Sequence, residues 1–397
     1  MKKTIKLAVV AALALGATSA LATNGSNLIG IGAKSRAMGG TSIGISHGAE
    51  SGLSNAALIT SVKGTEISFG GTIFMPDVTT TNAYTGLATT TNKSTADMNV
   101  IPAVSIATKV SDNLYVGLGM WGTAGMGVDY RDTAGTGTQF EMVTNLQLMQ
   151  FGVPVAYKSG AFSVGITPVL QYGSLDINFD TNGSNPIGEG VAQDLQFGYN
   201  LGAAYEVSGL TIGLSYKSQI DMDYQNVLPT AGSAFGLILG KELSTPEEIG
   251  FGASYSTSGH TLAVDYKNIK WSDAKGYKDF GWKDQDVYAL GYSFTTDKWV
   301  ARLGYNYAKS PIVSLGTAHP YSTKNTLNLL GFPGIVESHY TFGGSYSFTE
   351  RVSVDLAYVL ASEVTQSIKN NSTGSTTDNI TTKHSQSGVS FGLNYNF

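Results

Sequence analysis

The chain has 397 residues, of which 13% are charged, 49 are Gly, 21 are Tyr and none is Cys. The charged share is about half the roughly 25% of a soluble domain, which points to a β-rich protein with one face to lipid. A formal net charge of −5 argues against nucleic acid as a partner, and the lack of Cys excludes disulfides, thiolate metal sites and a lipoprotein anchor.

Lys2, Lys3 and Lys6 open the chain, an apolar run follows from Leu7 to Ala17, and Ala20-Leu21-Ala22 forms a small-x-small cleavage site. Residues 1–22 therefore read as a signal peptide, with the mature chain starting at Thr23. The run is too short to span a bilayer comfortably.

Residues 23–64 are rich in Gly, Ala and Ser and show no period of two. From Thr65 to Phe397 apolar and polar residues alternate. Val389, Phe391, Leu393, Tyr395 and Phe397 alternate with Ser390, Gly392, Asn394 and Asn396, and the stretches 210–217, 299–307 and 352–360 behave alike. A period of two means one wet face and one dry face. Segments of this kind fall near 65–76, 98–110, 113–122, 143–158, 161–178, 192–207, 210–227, 247–257, 260–271, 284–295, 298–309, 337–348, 351–366 and 384–397. Their connections alternate between short and long, as in outer-membrane barrels and not in sandwiches. The expected fold is all-β: a 14-stranded antiparallel transmembrane barrel over 65–397, plugged by an N-terminal hatch over 23–64.

The inward positions include Lys217, Asp265, Lys267, Arg302, Asn306, His339 and Asp355. They are sparse and mixed in sign, unlike the belt of an ion-selective pore. Gly117 and Gly119, on the inward side of one strand, predict a bend or a close approach of other backbone. Two external loops, 228–240 and 327–336, are apolar. They predict either a capture surface formed by Leu237, Ile238, Leu239, Phe332 and Ile335, or two loops that pack on each other and cap the barrel. Loops 179–191 and 367–383 are polar.

Gly44-Ile45-Ser46-His47-Gly48 has the G-x-S-x-G spacing but lacks the strand-to-helix elbow. Gly117 to Gly122 has the G-x-G-x-x-G spacing but lies within a strand. The five His have no metal-ligand spacing, and His384-Ser385 is the nearest approach to an outward His/Ser pair. No enzymatic activity, metal or cofactor is expected.

Gly32-Ala33-Lys34-Ser35-Arg36-Ala37-Met38-Gly39-Gly40, the strand from Leu210 to Ser218, Lys270-Trp271-Ser272, Trp282-Lys283-Asp284 and Tyr305 through Pro311 together resemble the FadL family of outer-membrane transporters of long-chain fatty acids and other hydrophobic compounds. The resemblance implies a fourteen-stranded barrel, uptake at apolar external loops, an inner pocket near the mature N-terminus, and a hatch whose movement opens a lateral exit beside a kinked strand. On that basis Arg36, Gly39, Gly40 and Asn55-Ala56-Ala57 shape the hatch, Ala56 standing where the family carries Pro, and Gly117 and Gly119 form the gate. A fatty-acid carboxylate would need a cation, for which Lys217 and Arg302 are candidates alongside Arg36. Hydrophobic small molecules and outer-membrane lipid are the expected partners, and the chain is expected to be a monomer. A general diffusion porin or a structural surface barrel is the alternative.

Overall fold

The computed structural model describes residues 24–83, 89–131, 138–180, 186–369 and 379–397. The predicted leader, 1–22, lies outside them, as do 181–185 and 370–378 of the two polar loops.

Seventeen strands among the described residues form one antiparallel sheet. They are β1 (Thr65–Ala83), β2 (Thr90–Lys93), β3 (Asn99–Lys109), β4 (Leu114–Asp129), β5 (Val143–Gly152), β6 (Val155–Ser159), β7 (Phe162–Asp180), β8 (Pro186–Gly188), β9 (Ala192–Val207), β10 (Leu210–Lys217), β11 (Glu248–Thr257), β12 (His260–Ile269), β13 (Gln285–Thr295), β14 (Trp299–Ala308), β15 (Ser338–Ser347), β16 (Val352–Lys369) and β17 (Asn379–Asn396). β1 pairs with β17 along its whole length, which closes the sheet. β5 and β6 are two halves of one barrel strand, interrupted at Val153 and Pro154, and both pair with β7. β2 and β8 are short strands that pair alongside the outer ends of β1 and β7. Fourteen staves remain, as the alternation predicts.

Burial follows the same alternation. Phe69, Leu118, Phe197, Leu214, Leu303, Phe342, Leu356 and Phe391 are exposed, whereas Ser68, Thr72, Gln171, Asn200, Asn306, Asp355 and Asn394 are buried. Such a molecule is inside out for water and right for a bilayer.

Some strand ends depart from expectation. β1, β4, β16 and β17 run further than predicted; in β1 and β17 this is because Thr and Asn replace the apolar partner at their outer ends (Thr79-Thr80-Thr81-Asn82, Asn379 to Thr382) and the alternation stops before the hydrogen bonds do. β10 is shorter. It ends at Lys217, after which Ile220 and Asp223 bridge Thr245 and Glu242, and Val227–Ala234 coils into a helix, α2.

The N-terminal segment, 24–64, packs on the inner wall. It contains helix α1 (Gly32–Ala37) and two 3-10 turns, Gly48–Gly52 and Ala56–Ser61. Ala33 and Ala37, four residues apart, present one face of α1 to Ala357 of β16. Glycines on the wall let backbone meet backbone. A Cβ on Gly304 would lie 2.0 Å from Gly39 N, and one on Gly213 would lie 1.8 Å from Ile43 O. Gly304→Val should therefore unseat the segment but leave the barrel closed. Expected are an unchanged heat-modifiable electrophoretic shift and, in planar bilayers, ion conductance that the wild type does not show.

Candidate functional site

One part of the barrel wall is incomplete. β3 and β4 pair only from Ala103/Trp121 down to Lys109/Tyr115, so Asn99 to Pro102 pair with β1 alone. Pro102 has no N–H to offer a second neighbour. Across the gap, β4 slips register against β5 between Gly122 and Ala124. Such a bulge bends a strand and turns its edge. At its upper end the gap is closed by Thr95 N donating to Asp129 O (2.8 Å) and by Asp129 N donating to Ser94 Oγ (2.9 Å).

The start of the N-terminal segment occupies this gap. Leu28 N donates to Thr123 O (3.1 Å), Gly125 N donates to Ser26 O (3.0 Å), and Asn27 bridges Ala124. Leu28 packs with Phe74 of β1 and Ile101 of β3. Residues 26–28 thus stand where β3 would have continued along β4.

The bend is accordingly at Thr123, not at Gly117 and Gly119. Those two glycines make room. A Cβ on Gly119 would fall 1.9 Å from the Trp121 indole, and one on Gly117 would fall 2.8 Å from Pro154 Cγ. Trp121 is buried and donates from Nε1 to Ser105 Oγ (2.9 Å).

Above the gap the chain turns at Gly25, with φ 65°, inside a box of Trp271, Tyr277 and Trp282. The three rings lie 4.6–5.2 Å apart, tilted or edge to face, and a Cβ on Gly25 would come within 2.7 Å of Trp271. The Ser26 and Tyr277 hydroxyls are 3.0 Å apart. Burial pushes the Tyr277 phenol above its ordinary value despite that bond, so it stays neutral. Trp271 and Trp282 are satisfied by Gln285 and Asn328. No role for the box is legible in the sequence, although both Trp lie in the motifs that carry the family resemblance.

The two apolar external loops fold over this box. Loop 228–240 contains most of α2, and loop 327–336 contains the end of α3 (Tyr321–Gly331). Leu237, Phe332 and Ile335 are buried and Leu239 is packed against the same core, whereas Ile238 is fully exposed. Four of the five expected capture residues are therefore the cap's interior. Two apolar voids of about 10 Å³ each remain beneath it. Leu239 and Leu327 line one, Trp282 and Tyr277 line the other, and Phe280 and Phe332 border both, with ring centroids 6.3 Å apart. The residues lining both voids are uncharged.

The rest of the N-terminal segment is fastened to the wall by polar groups. Asp265 of β12 accepts backbone hydrogen bonds from Ser42 (2.6 Å), Ile43 (2.8 Å) and Gly44 (3.3 Å). Gly39 N donates to Thr341 Oγ1, and Gly39 O accepts from Asn306. Gly40, with φ 87°, turns the chain over Ile29. Asn55 caps the second 3-10 turn by accepting from Ala57 N, and its Nδ2 donates to Ile43 O and to Ala203 O of β9. Ala56 and Ala57 rest on Gly165 and Gly202. Ala56 is the first residue of its turn, where no intrahelical donor is required, so alanine serves as proline would.

Both expected carboxylate partners are already engaged. Lys217 lies 3.0 Å from Glu248, whose other oxygen faces Lys267 at 3.6 Å. Arg302 donates to Ser345, which itself donates to Asp355. Lys217 and Glu248 also line a mixed polar and apolar cavity of about 60 Å³ between Ile29, Ile43 and Leu53 and the wall.

The hydrolase spacings do not assemble into a pair. Ser46 Oγ donates to Leu58 O, and His47 Nε2 meets Thr41 O. His384 is buried and bonded to Pro333 O, and Ser385, next along the strand, points to the other face.

A closed barrel with an apolar outer band and an interior filled by its own N-terminal segment defines the class of plugged outer-membrane barrels. The chain matches the family model described as outer membrane protein transport protein (OMPP1/FadL/TodX) over residues 7–397. It belongs to that family and resides in the bacterial outer membrane. It is 24% identical over 348 residues to the 47 kDa outer membrane protein of Pasteurella multocida, covering 77% of this chain and 79% of that one. Its fold is shared with a Pseudomonas aeruginosa FadL homologue (TM-score 0.73, 14% identity, 94% of this chain and 100% of that one) and with the Pseudomonas putida toluene transporter TodX (TM-score 0.68, 18% identity, 93% and 99%). Family and fold are those of transporters and channels, not of enzymes.

Asp265→Asn should loosen the clasp, because hydrogen bonds to a charged acceptor are worth about 1.5–3 kcal/mol. Amide hydrogen exchange at Ser42, Ile43 and Gly44 should accelerate roughly 10- to 100-fold, with the strands of the barrel unchanged.

Proposed function

We propose that the protein carries uncharged hydrophobic molecules passively across the outer membrane and releases them sideways into it. Cargo enters between α2 and α3, passes Phe280 and Phe332, and reaches the box of Trp271, Tyr277 and Trp282. There it displaces the Gly25 turn. Withdrawal of residues 24–28 then opens the gap between β3 and β4. The observation that carries this reading is the seating of residues 26–28 along β4 where β3 stops. The hatch of this proposal is residues 24–64 together with Thr23.

Charge supports a neutral cargo. The path is lined by apolar and aromatic groups, Lys217 is paired with Glu248, and Arg302 is engaged by the Ser345 hydroxyl. A single ring that buries about 200 Å² gains roughly 5 kcal/mol, which the displaced turn partly offsets. The resulting weak net binding suits a carrier that must release its load. The toluene transporter TodX has the same fold, in keeping with a hydrocarbon cargo here.

The lock is testable because the chain has no Cys. Asn27 and Ala124 form a pair without mutual hydrogen bonds, and such pairs sit close enough for a disulfide. In Asn27→Cys/Ala124→Cys cells, uptake of labelled toluene should fall to that of cells lacking the protein and recover with dithiothreitol. Undiminished uptake with the crosslink formed overturns the lateral route. Laurate uptake exceeding toluene uptake overturns the neutral cargo. A large steady ion current through the wild type would favour the porin.

A further inference from the structure

Arg36 is the one cation of the barrel interior, among the described residues, whose outer guanidinium nitrogens have no partner. It is 1% exposed. Its Nε donates to Ser390 Oγ at 3.0 Å, and that hydroxyl shares a 2.7 Å bond with Thr72. Neither Nη1 nor Nη2 has a hydrogen-bond partner. The other interior cations raised by the sequence, Lys217, Lys267 and Arg302, have an acid or a hydroxyl in reach. Leaving a charged group buried without compensation is among the costlier arrangements in a protein.

The surroundings repeat the imbalance. The guanidinium lies over Gly388 of β17, where a Cβ would stand 3.3 Å from Nη2. Gln386, two residues along the same inward row, sets its Nε2 at 2.9 Å from His339 Nε2 of β15. An amide nitrogen can only donate, so this His339 nitrogen accepts and the ring proton sits on Nδ1. His339 Nδ1 has no partner, and His339 is fully buried. Arg36 Nη1 and Nη2 and His339 Nδ1 are donors with no acceptor, and the unpartnered acceptors along the same row of β17, Gln386 Oε1 and His384 Nε2, are both neutral.

We infer that Arg36, with His339 and Gln386 beside it, holds a small monovalent anion between α1 and the β15–β17 wall. Chloride and a short carboxylate such as formate share the required chemistry: one negative charge, small size and acceptors only. The anion neutralises the guanidinium, accepts from Nη1 and Nη2, and fastens α1 to the barrel. The site is separate from the cargo path, which runs along β3, β4 and the external loops, so it stands or falls independently of the transport reading.

The test uses the purified full barrel in detergent. Its unfolding temperature is followed as sodium bromide or sodium formate replaces sodium isethionate at constant ionic strength. The expected result is a rise of roughly 2–5 °C that vanishes in Arg36→Met and is partly kept in Arg36→Lys. Arg36→Met exchanges the charge for an apolar chain of similar length, a change that cores tolerate. Response to bromide alone identifies a halide site, to formate alone a carboxylate site, and to both a general anion site. The same response in wild type and Arg36→Met overturns the inference. Crystals grown in bromide give a second reading that does not depend on either variant folding. An anomalous peak at the Arg36 Nη atoms supports the site, and a water there overturns it.

Discussion

No water reaches the hydrocarbon of a bilayer, so every backbone N–H and C=O at that depth must find its partner within the protein. A barrel meets this by leaving no edge, and the rest of the structure depends on that closure. Among the described residues that closure is interrupted above Ala103 and Trp121, where β3 and β4 part company. The chain repairs the fault with its own beginning, Ser26 to Leu28, which supplies to β4 the hydrogen bonds that β3 withholds. In the proposed route this edge is closed while residues 26–28 are seated and opens when they leave.

The interior follows from the same constraint. A barrel of fourteen staves encloses more space than side chains of its wall can fill. The N-terminal segment takes up that space by close contact of small residues from both sides, as at Gly39 on Gly304 and at Ala56 and Ala57 on Gly165 and Gly202. Its irregular backbone carries donors that no helix or sheet satisfies, so the wall supplies acceptors. Asp265 serves three of them with one carboxylate.

The barrel was legible in the sequence because one physical rule, lipid outside and polar groups inside, acts on every strand. Where that rule stops, legibility stops. The Thr-rich outer ends of β1 and β17 carry polar residues on both faces, so the sequence shows no alternation there although Thr80, Ile380 and Thr382 are buried. The apolar stretches around Leu237 and Phe332 read equally as an exposed capture surface or a buried cap, because sequence carries hydrophobicity and not the neighbour that covers it. The bend escaped for a related reason. Gly117 and Gly119 are conspicuous, yet they make room for Pro154 and Trp121, whereas the bulge at Thr123 and the stop at Pro102 are visible only as a mismatch between strands. Asp265 was legible as an inward charge, but its role depends on backbone that arrives from more than 200 residues away.

Under the proposed route, the seating of Gly25 among Trp271, Tyr277 and Trp282 makes the protein a competitor of its own cargo. Any guest for those rings binds only the fraction of molecules in which the turn has left, and its apparent affinity is the intrinsic one reduced by that fraction. Affinity can therefore be set without altering one atom of the binding surface. A change at Ser26, which bonds Tyr277, or at Leu28, which packs on Phe74 and Ile101, would shift how often the rings are free. Relatives with identical aromatic boxes could then differ widely in how strongly they retain the same compound, and comparison of the boxes alone would not reveal it.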